Sequence, residues 1–331
     1  MTTTRKGLRN DITDVPGIRV GEAHDARVRT GVTVVIPDKS AVCAGDIRGG
    51  GPGTRETDLL DPSTLVDRAD AIVLAGGSSY GLAAADGAAA YLGAQGRGFR
   101  LVDVAGVPPS PIVPAAILYD LTNGGDKAWD LDPPYRRLGI AACEAAAASP
   151  VRLGRAGAGY GASAGAGPGG LGSASYVTAE GFVVGALVAV NSFGSVMLPG
   201  SDVFWAWPFE EGDEFGGKRP GAGWRGVADL PPDTKLAAAA RANTTIGIVA
   251  ISAAITQAEA RRVAIMAQDG IARAIRPVHG PTDGDAVFVL AIGEGSSPDP
   301  LTLTRLGLLA ADCVSRAIAR GVFEAGRQSQ P

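Results

Sequence analysis

The chain has 331 residues, 46% of them apolar, and a formal net charge of −4. That mild acidity, without any basic run, argues against a nucleic-acid partner, and the apolar fraction excludes a disordered chain. Glycine is the anomaly at 48 residues, about twice the usual share of roughly 7%; in an apolar chain it lets backbones approach closely and turns be tight.

The first residues, "MTTTRKGLRNDITDVPG", lack an apolar h-region and do not read as a secretory signal. No uninterrupted apolar stretch approaches the roughly 18 residues of a membrane span, so no membrane partner is expected. Cys43, Cys143 and Cys313 are odd in number and far apart. They read as buried small hydrophobes in a reducing compartment, with the cytoplasm as the default.

Residues 11–36 predict short strands: "ITDVPGIRVGEA" carries a Pro16-Gly17 turn, and "GVTVVIP" is β-branched and apolar. Residues 46–62, "DIRGGGPGTRETDLLDP", form a glycine-rich loop. Residues 71–92 read as strand, glycine turn and helix, with Ser78 or Ser79 as the helix cap. A strand near 112–119 ends at Tyr119, and a helix follows near 136–148. Residues 154–175 are mostly glycine, alanine and serine. Residues 176–196 predict a hairpin ending at Asn191.

Residues 197–243 differ in texture. They hold three of the four tryptophans, several prolines and an acidic cluster, and read as a long excursion, a feature that tends to be functional or mobile. The alanine run "KLAAAARA" before Asn243 looks helical. Regular pattern resumes with a strand over 245–254. Thr256 and Glu259 then form a capping box, and Ala260, Val263, Ala267 and Ala274 mark a helix face. Residues 283–293 are loop then strand. The final helix, 299–321, carries Pro300 in its first turn and Leu303, Leu306, Ala310, Val314 and Ala317 on one face. Strands and helices are mixed without strict βαβα alternation, which favours α+β layers.

The motifs divide sharply in quality. Gly157-Ala158-Gly159-Tyr160-Gly161-Ala162 has the G-x-G-x-x-A form, but Pro168, Gly169 and Gly170 oppose the helix that a dinucleotide loop needs, and no P-loop Lys-Ser/Thr follows. Tight packing or a substrate-facing loop is the competing reading. Only His24 and His279 could ligate as histidines, and no paired cysteines occur, so no metal and no cofactor is expected. Asp283-Gly284-Asp285 lacks the oxygen ligands of a calcium loop and reads as a turn before a strand. A Ser-His-Asp hydrolase is not the favoured reading, and His279 as its base competes with a merely exposed loop histidine.

Thr244, in "RANTTIGIVA", starts a strand. It also has a chemical reading. A threonine hydroxyl is a weak nucleophile without a base, and an N-terminal threonine carries its own, the free α-amine, with a pKa near 8. Cutting Asn243-Thr244 would expose that amine. A plain strand start remains the alternative.

Read together, the segments resemble the DmpA-like peptidases: L-aminopeptidase/D-esterases, β-peptidyl aminopeptidases and the nylon-oligomer endohydrolase. The similarity runs through "ITDVPGIRVGEAHD", "DIRGGGPGTRETDLLDP", "LAGGSSYGLAAADG", "GRAGAGYGASAG", "VNSFGSV", "ANTTIGIVA" and "DGDAVFVLA", in that order over nearly the whole chain. The resemblance implies one domain over 1–331, a four-layer αββα sandwich of the N-terminal-nucleophile type, self-cleaved into fragments 1–243 and 244–331 that stay associated. It implies amide hydrolysis of peptides or small peptide-like amides, and a homotetramer of processed protomers. Carried over by position, Thr244 is the nucleophile in cleavage and catalysis, Asn191 an oxyanion-hole donor, Asp283 and Asp285 partners of the α-ammonium, and Tyr119 a substrate-lining residue. The Asn-Thr-Thr and Asp-Gly-Asp pattern is more similar to the nylon-oligomer branch than to the serine-bearing β-aminopeptidases. One departure stands out. Family members commonly carry a lysine in the segment matching 157–170, whereas no lysine lies between Lys127 and Lys218 here. An acyltransferase of similar fold and a non-catalytic metabolite-binding relative are the two other readings.

Overall fold

The computed structural model describes residues 3–226, 229–235 and 243–329. The chain opens with β1 (Arg5–Lys6), β2 (Ile18–Asp25), β3 (Thr30–Pro37), β4 (Ala41–Ile47), β5 (Thr54–Arg55), β6 (Arg68–Ala69) and β7 (Ile72–Ala75). Helix α1 (Ala83–Ala94), β8 (Ala115–Ile117) and α2 (Tyr135–Glu144) follow. A small hairpin of β9 (Ser163–Ala164) and β10 (Gly167–Pro168) precedes β11 (Gly170–Val177) and β12 (Val183–Asn191). The last elements are β13 (Thr244–Ile251), α3 (Gln257–Ala274), β14 (Ala286–Ala291) and α4 (Pro300–Gln328).

Among the described residues two large sheets form, one ordered β1-β11-β12-β13-β14-β4-β6 and the other β2-β3-β7-β8-β5. Strands β12, β13 and β14 are apolar along nearly their whole length because both faces are covered. Val188, Val249 and Val289 face α3 and α4, packing on Val263, Ala267 and Val314. Leu187, Ile248 and Phe288 point the other way, into a core shared with Leu74, Val35 and Ala116 of the second sheet. On that sheet's outer face Val32, Val34 and Val73 pack on Ala84, Ala88 and Leu138 of α1 and α2. The alternation of side chains along each strand thus builds four layers, α-β-β-α.

Most boundaries agree with the sequence reading, and the exceptions have local causes. The hairpin starts earlier than 176, since small residues from Gly170 onward pair with β12 in full register. The strand near 112–119 contracts to three residues, flanked by Pro114 and by the irregular residues 118–120. Neither Ser78 nor Ser79 caps α1. Gly77 takes a left-handed φ of +86°, a 3-10 turn spans Ser78–Leu82, and α1 begins only after it without a side-chain cap. Capping is as expected at α3, where Thr256 and Glu259 form the box, and Asp299 caps α4 with Pro300 in its first turn. Helix α4 runs past the expected 321 to Gln328. The helical reading of the alanine run falls on residues 236–242, outside the described residues. The described part of the excursion is largely irregular, with one 3-10 turn at Trp207–Phe209. It is anchored by Glu214, which accepts from the fully buried Arg316 at 2.6 and 2.9 Å and from Asn10 at 2.6 Å. No helix among the described residues is long and apolar enough to cross a membrane. The three cysteines are buried and unbridged.

Candidate active site

Sheet topology brings distant residues to one edge. Strand β12 runs antiparallel to β13, so its last residue, Asn191, pairs with the first residue of β13, Thr244. Strand β14 runs parallel to β13, so the turn before it lies beside the start of β13, and Asn243 bridges to Asp283. Thr244, Asn191, Asp283 and Asp285 therefore meet at one end of the sheet, all of them buried.

The Asn243-Thr244 peptide is held from several sides. The Thr244 hydroxyl contacts the carbonyl oxygen of Asn243. The same oxygen accepts the Gly284 N–H at 3.1 Å. Position 284 has to be glycine, because a Cβ there would sit 2.7 Å from the Thr244 hydroxyl oxygen. One residue on, the Thr245 N–H donates to Asp285 Oδ1 at 2.7 Å. Asp285 Oδ2 accepts from the His279 backbone N–H at 3.1 Å and from its ring Nδ1 at 2.9 Å. His279 is therefore the partner of Asp285 rather than an exposed loop histidine or the base of a serine site. Asp283 Oδ2 accepts the Gly280 N–H at 2.8 Å. Burial, with the Asp285 carboxylate beside it, pushes the Asp283 carboxyl up to about 6.

Asn191 is fixed by polar contacts of its side chain and its backbone. Its Oδ1 accepts the Ser163 N–H at 3.0 Å and the Lys235 ammonium at 3.3 Å, which leaves Nδ2 to donate to the Tyr119 carbonyl at 3.1 Å. The Lys235 ammonium also donates to the Asn191 backbone carbonyl at 2.9 Å. Lys235 is buried, and desolvation brings it down to about 7, with the negative charge of Asp283 acting against that shift. Sequence reasoning sought a lysine in 157–170 and missed this one. Its signal is a lysine in the excursion eight positions before Asn243, invisible until the chain folds back.

Tyr119, Asn191 and Lys235 line a cavity of about 450 Å³ whose wall also includes Arg29, Asp120 and Ser163. The glycine-rich loop shapes this space. Gly161 and Ala162 line it, while a side chain at Gly159 would strike the backbone of Gly170 and Leu171. Close packing thus applies to Gly159, while Gly161 and Ala162 face the cavity. Among the described residues no group of three or more His, Cys, Asp or Glu is arranged to hold a metal ion.

Comparisons with known proteins identify the family. The chain matches the profile of peptidase family S58 over residues 10–330. An uncharacterized aminopeptidase of Mycobacterium tuberculosis is 44% identical over 346 residues, covering 96% of this chain and 94% of the relative. A 6-aminohexanoate-oligomer endohydrolase of Kocuria sp. is 30% identical, over 96% of this chain and 86% of that one. Among solved structures, the L-aminopeptidase D-Ala-esterase/amidase of Ochrobactrum anthropi, described as a variant of the Ntn hydrolase fold, superposes with a TM-score of 0.68 at 20% identity, over 97% of this chain and 87% of that chain. The fold is that of the Ntn hydrolases, an α+β sandwich, and the chain belongs to peptidase family S58.

Proposed function

We propose that this hydrolase of peptide or amide bonds makes its own nucleophile by cutting the Asn243-Thr244 bond, and that the freed Thr244 then cleaves short amide substrates. The observation that carries the reading is the contact of the Thr244 hydroxyl with the Asn243 carbonyl, whose oxygen already accepts the Gly284 N–H.

In the first stage the Thr244 oxygen attacks the Asn243 carbonyl carbon. Negative charge develops on the carbonyl oxygen, where the Gly284 N–H is pre-aimed, and such donors gain strength in a dry site. The hydroxyl proton passes to a neighbouring base, and Asp283, with its carboxyl near 6, is poised to take it at neutral pH. Collapse breaks the C–N bond, the amine leaves protonated, and an ester joins Asn243 to the Thr244 oxygen. Water then hydrolyses the ester, releasing the Asn243 carboxylate and a threonine with a free α-amine.

In the second stage that amine serves as the base for its own hydroxyl. Asp285, which accepts the Thr245 N–H, and Asp283, bridged to Asn243, balance the charge of the new terminus. The substrate acyl group passes to the Thr244 oxygen, the amine product leaves, and water frees the acid. Asn191 supplies the amide donor for the tetrahedral oxyanion. Lys235 and the Ser163 N–H hold its Oδ1, so that Nδ2 faces the cavity side where Tyr119 lies. An amine at Asn191 also answers the missing lysine, the feature that favoured a non-catalytic relative. The test is intact mass after prolonged incubation together with turnover of aminoacyl anilides. A wild-type chain that stays whole and never shows a Thr244 N-terminus sinks the self-processing reading.

A further inference from the structure

The cavity beside Asn191 carries a charge pattern that the hydrolytic chemistry does not use. Its charged lining is Arg29, Arg155, Lys235 and Asp120. Asp120 is already engaged: its Oδ1 accepts the Gly77 N–H at 2.7 Å and its Oδ2 the Thr30 hydroxyl at 2.7 Å. Burial raises its pKa, against those hydrogen bonds. It does not neutralise the arginines. Their chain neighbours behave differently, since Arg27 pairs with Asp126 at 2.7 Å and Arg152 with Glu22 at 3.0 Å. Among the described residues, no ion pair involves Arg29 or Arg155.

Both arginines are held in place without being neutralised. The Arg29 carbonyl accepts from Asn123 Nδ2 at 2.6 Å, which fixes the tip of the β2–β3 hairpin at the cavity mouth. Arg155 donates through Nε and Nη2 to the Ser329 hydroxyl at 3.0 and 2.9 Å, and its N–H donates to Gln328 at 2.7 Å. The end of α4 thus steadies the guanidinium, and its Nη1 is not part of that contact. A steadied guanidinium whose Nη1 has no partner among the described residues suits a carboxylate, which accepts two parallel hydrogen bonds.

We propose that Arg29 and Arg155 form a carboxylate subsite, so that the preferred substrates are short amides with a free amine at one end and a carboxylate on the leaving-group side. The inference rests on the hydrolase reading for its orientation. The amine points past the lining residue Asn191 toward its strand partner Thr244 and the Asp283–Asp285 turn, which are not themselves part of the cavity lining, and the carboxylate lies at the arginine end. A cavity of about 450 Å³ suits a substrate of dipeptide size.

The test is a binding measurement, so that it does not depend on turnover. Uncut Thr244→Ala protein is titrated calorimetrically with L-alanyl-4-aminobenzoate and with L-alanyl-4-aminobenzamide, which differ only in the charge of the para group. The expected result is tighter binding of the benzoate by about fivefold to tenfold, the range for two solvent-exposed ion pairs. The preference shrinks as salt is raised. It falls below about twofold in Arg29→Gln/Arg155→Gln, and it is largely kept in Arg29→Lys/Arg155→Lys, with thermal melts reporting that each variant is folded. Equal affinities in the parent, failure of both compounds to bind, or a preference that survives the glutamine pair overturns the proposal. Turnover of the two anilides by protein retaining Thr244 reports on the hydrolase reading separately: absence of turnover with the binding preference intact sinks that reading alone.

Discussion

The two sheets divide the labour differently. The β12-β13-β14 edge of the larger sheet supplies Asn191, Thr244 and the Asp283–Asp285 turn, all buried and locked in register. The smaller sheet and its loops supply Arg29 at a hairpin tip and Tyr119 and Asp120 just after β8. The proposed chemistry falls on strand ends that cannot shift without breaking two covered faces, while the cavity wall is hung on loops that can vary. This matches the general advantage of building reactive groups on rigid elements and recognition on connections.

The sharpest way to break that comparison is at the strand start. Thr244→Ala is expected to abolish both self-cleavage and turnover while the chain remains folded, read by intact mass and by anilide hydrolysis. If either activity persists, the rigid edge does not carry the nucleophile. Asn191→Ala comes next, at a loss of about 10²- to 10³-fold in kcat, the usual cost of removing one oxyanion donor. An effect confined to KM would move Asn191 from the chemistry to the wall.

Lys235 joins the two regions, and its substitution is diagnostic through pH. Asp283 must be ionised to accept the proton in self-cleavage, so the rate of processing rises through about pH 6. Lys235 must be charged to hold Asn191, so activity falls through about pH 7. Lys235→Met is expected to cost about tenfold at neutral pH, the worth of a charged hydrogen bond, and to remove the alkaline limb. An unchanged pH profile would make the lysine a packing residue. Stability carries the opposite sign. Between about 7 and the ordinary lysine range near 10 the unfolded chain holds a proton that folded Lys235 has lost, so the folded state gains stability as pH rises there. Differential melts of wild type and Lys235→Met across that range are expected to show the gain in the wild type alone.

The smallest effect is expected away from both regions. Thr256→Ala removes the α3 cap, and with it the acceptor for the Glu259 N–H at 3.3 Å. A loss of about 1 kcal/mol lowers the melting point by about 2 °C in a chain of this size and leaves kcat unchanged. A change in kcat would mean that the edge carrying Thr244 is less insulated from α3 than the layering suggests.

Much of this architecture was readable in advance because it follows from local rules. Periodicity located β13, α3 and α4, and a threonine after asparagine at a strand start raised the question of a cut bond. The misreadings also have local causes. Ser78 and Ser79 look like helix caps, but a left-handed Gly77 inserts a 3-10 turn before α1. His279 looks like a surface histidine until its φ of +56° and the nearby strand end turn its ring onto Asp285.

By itself, the sequence determined the elements, the α+β class and the residue types from which a nucleophile and its acids are drawn, because these depend on neighbours within a few positions. Only the tertiary structure decided who stands beside them. Lys235 lies 44 positions from Asn191, and Arg29 and Arg155 belong to different layers' loops. Their meeting depends on an antiparallel pairing, a parallel pairing and the packing of two sheets, each of which sets distances that no spacing along the chain encodes.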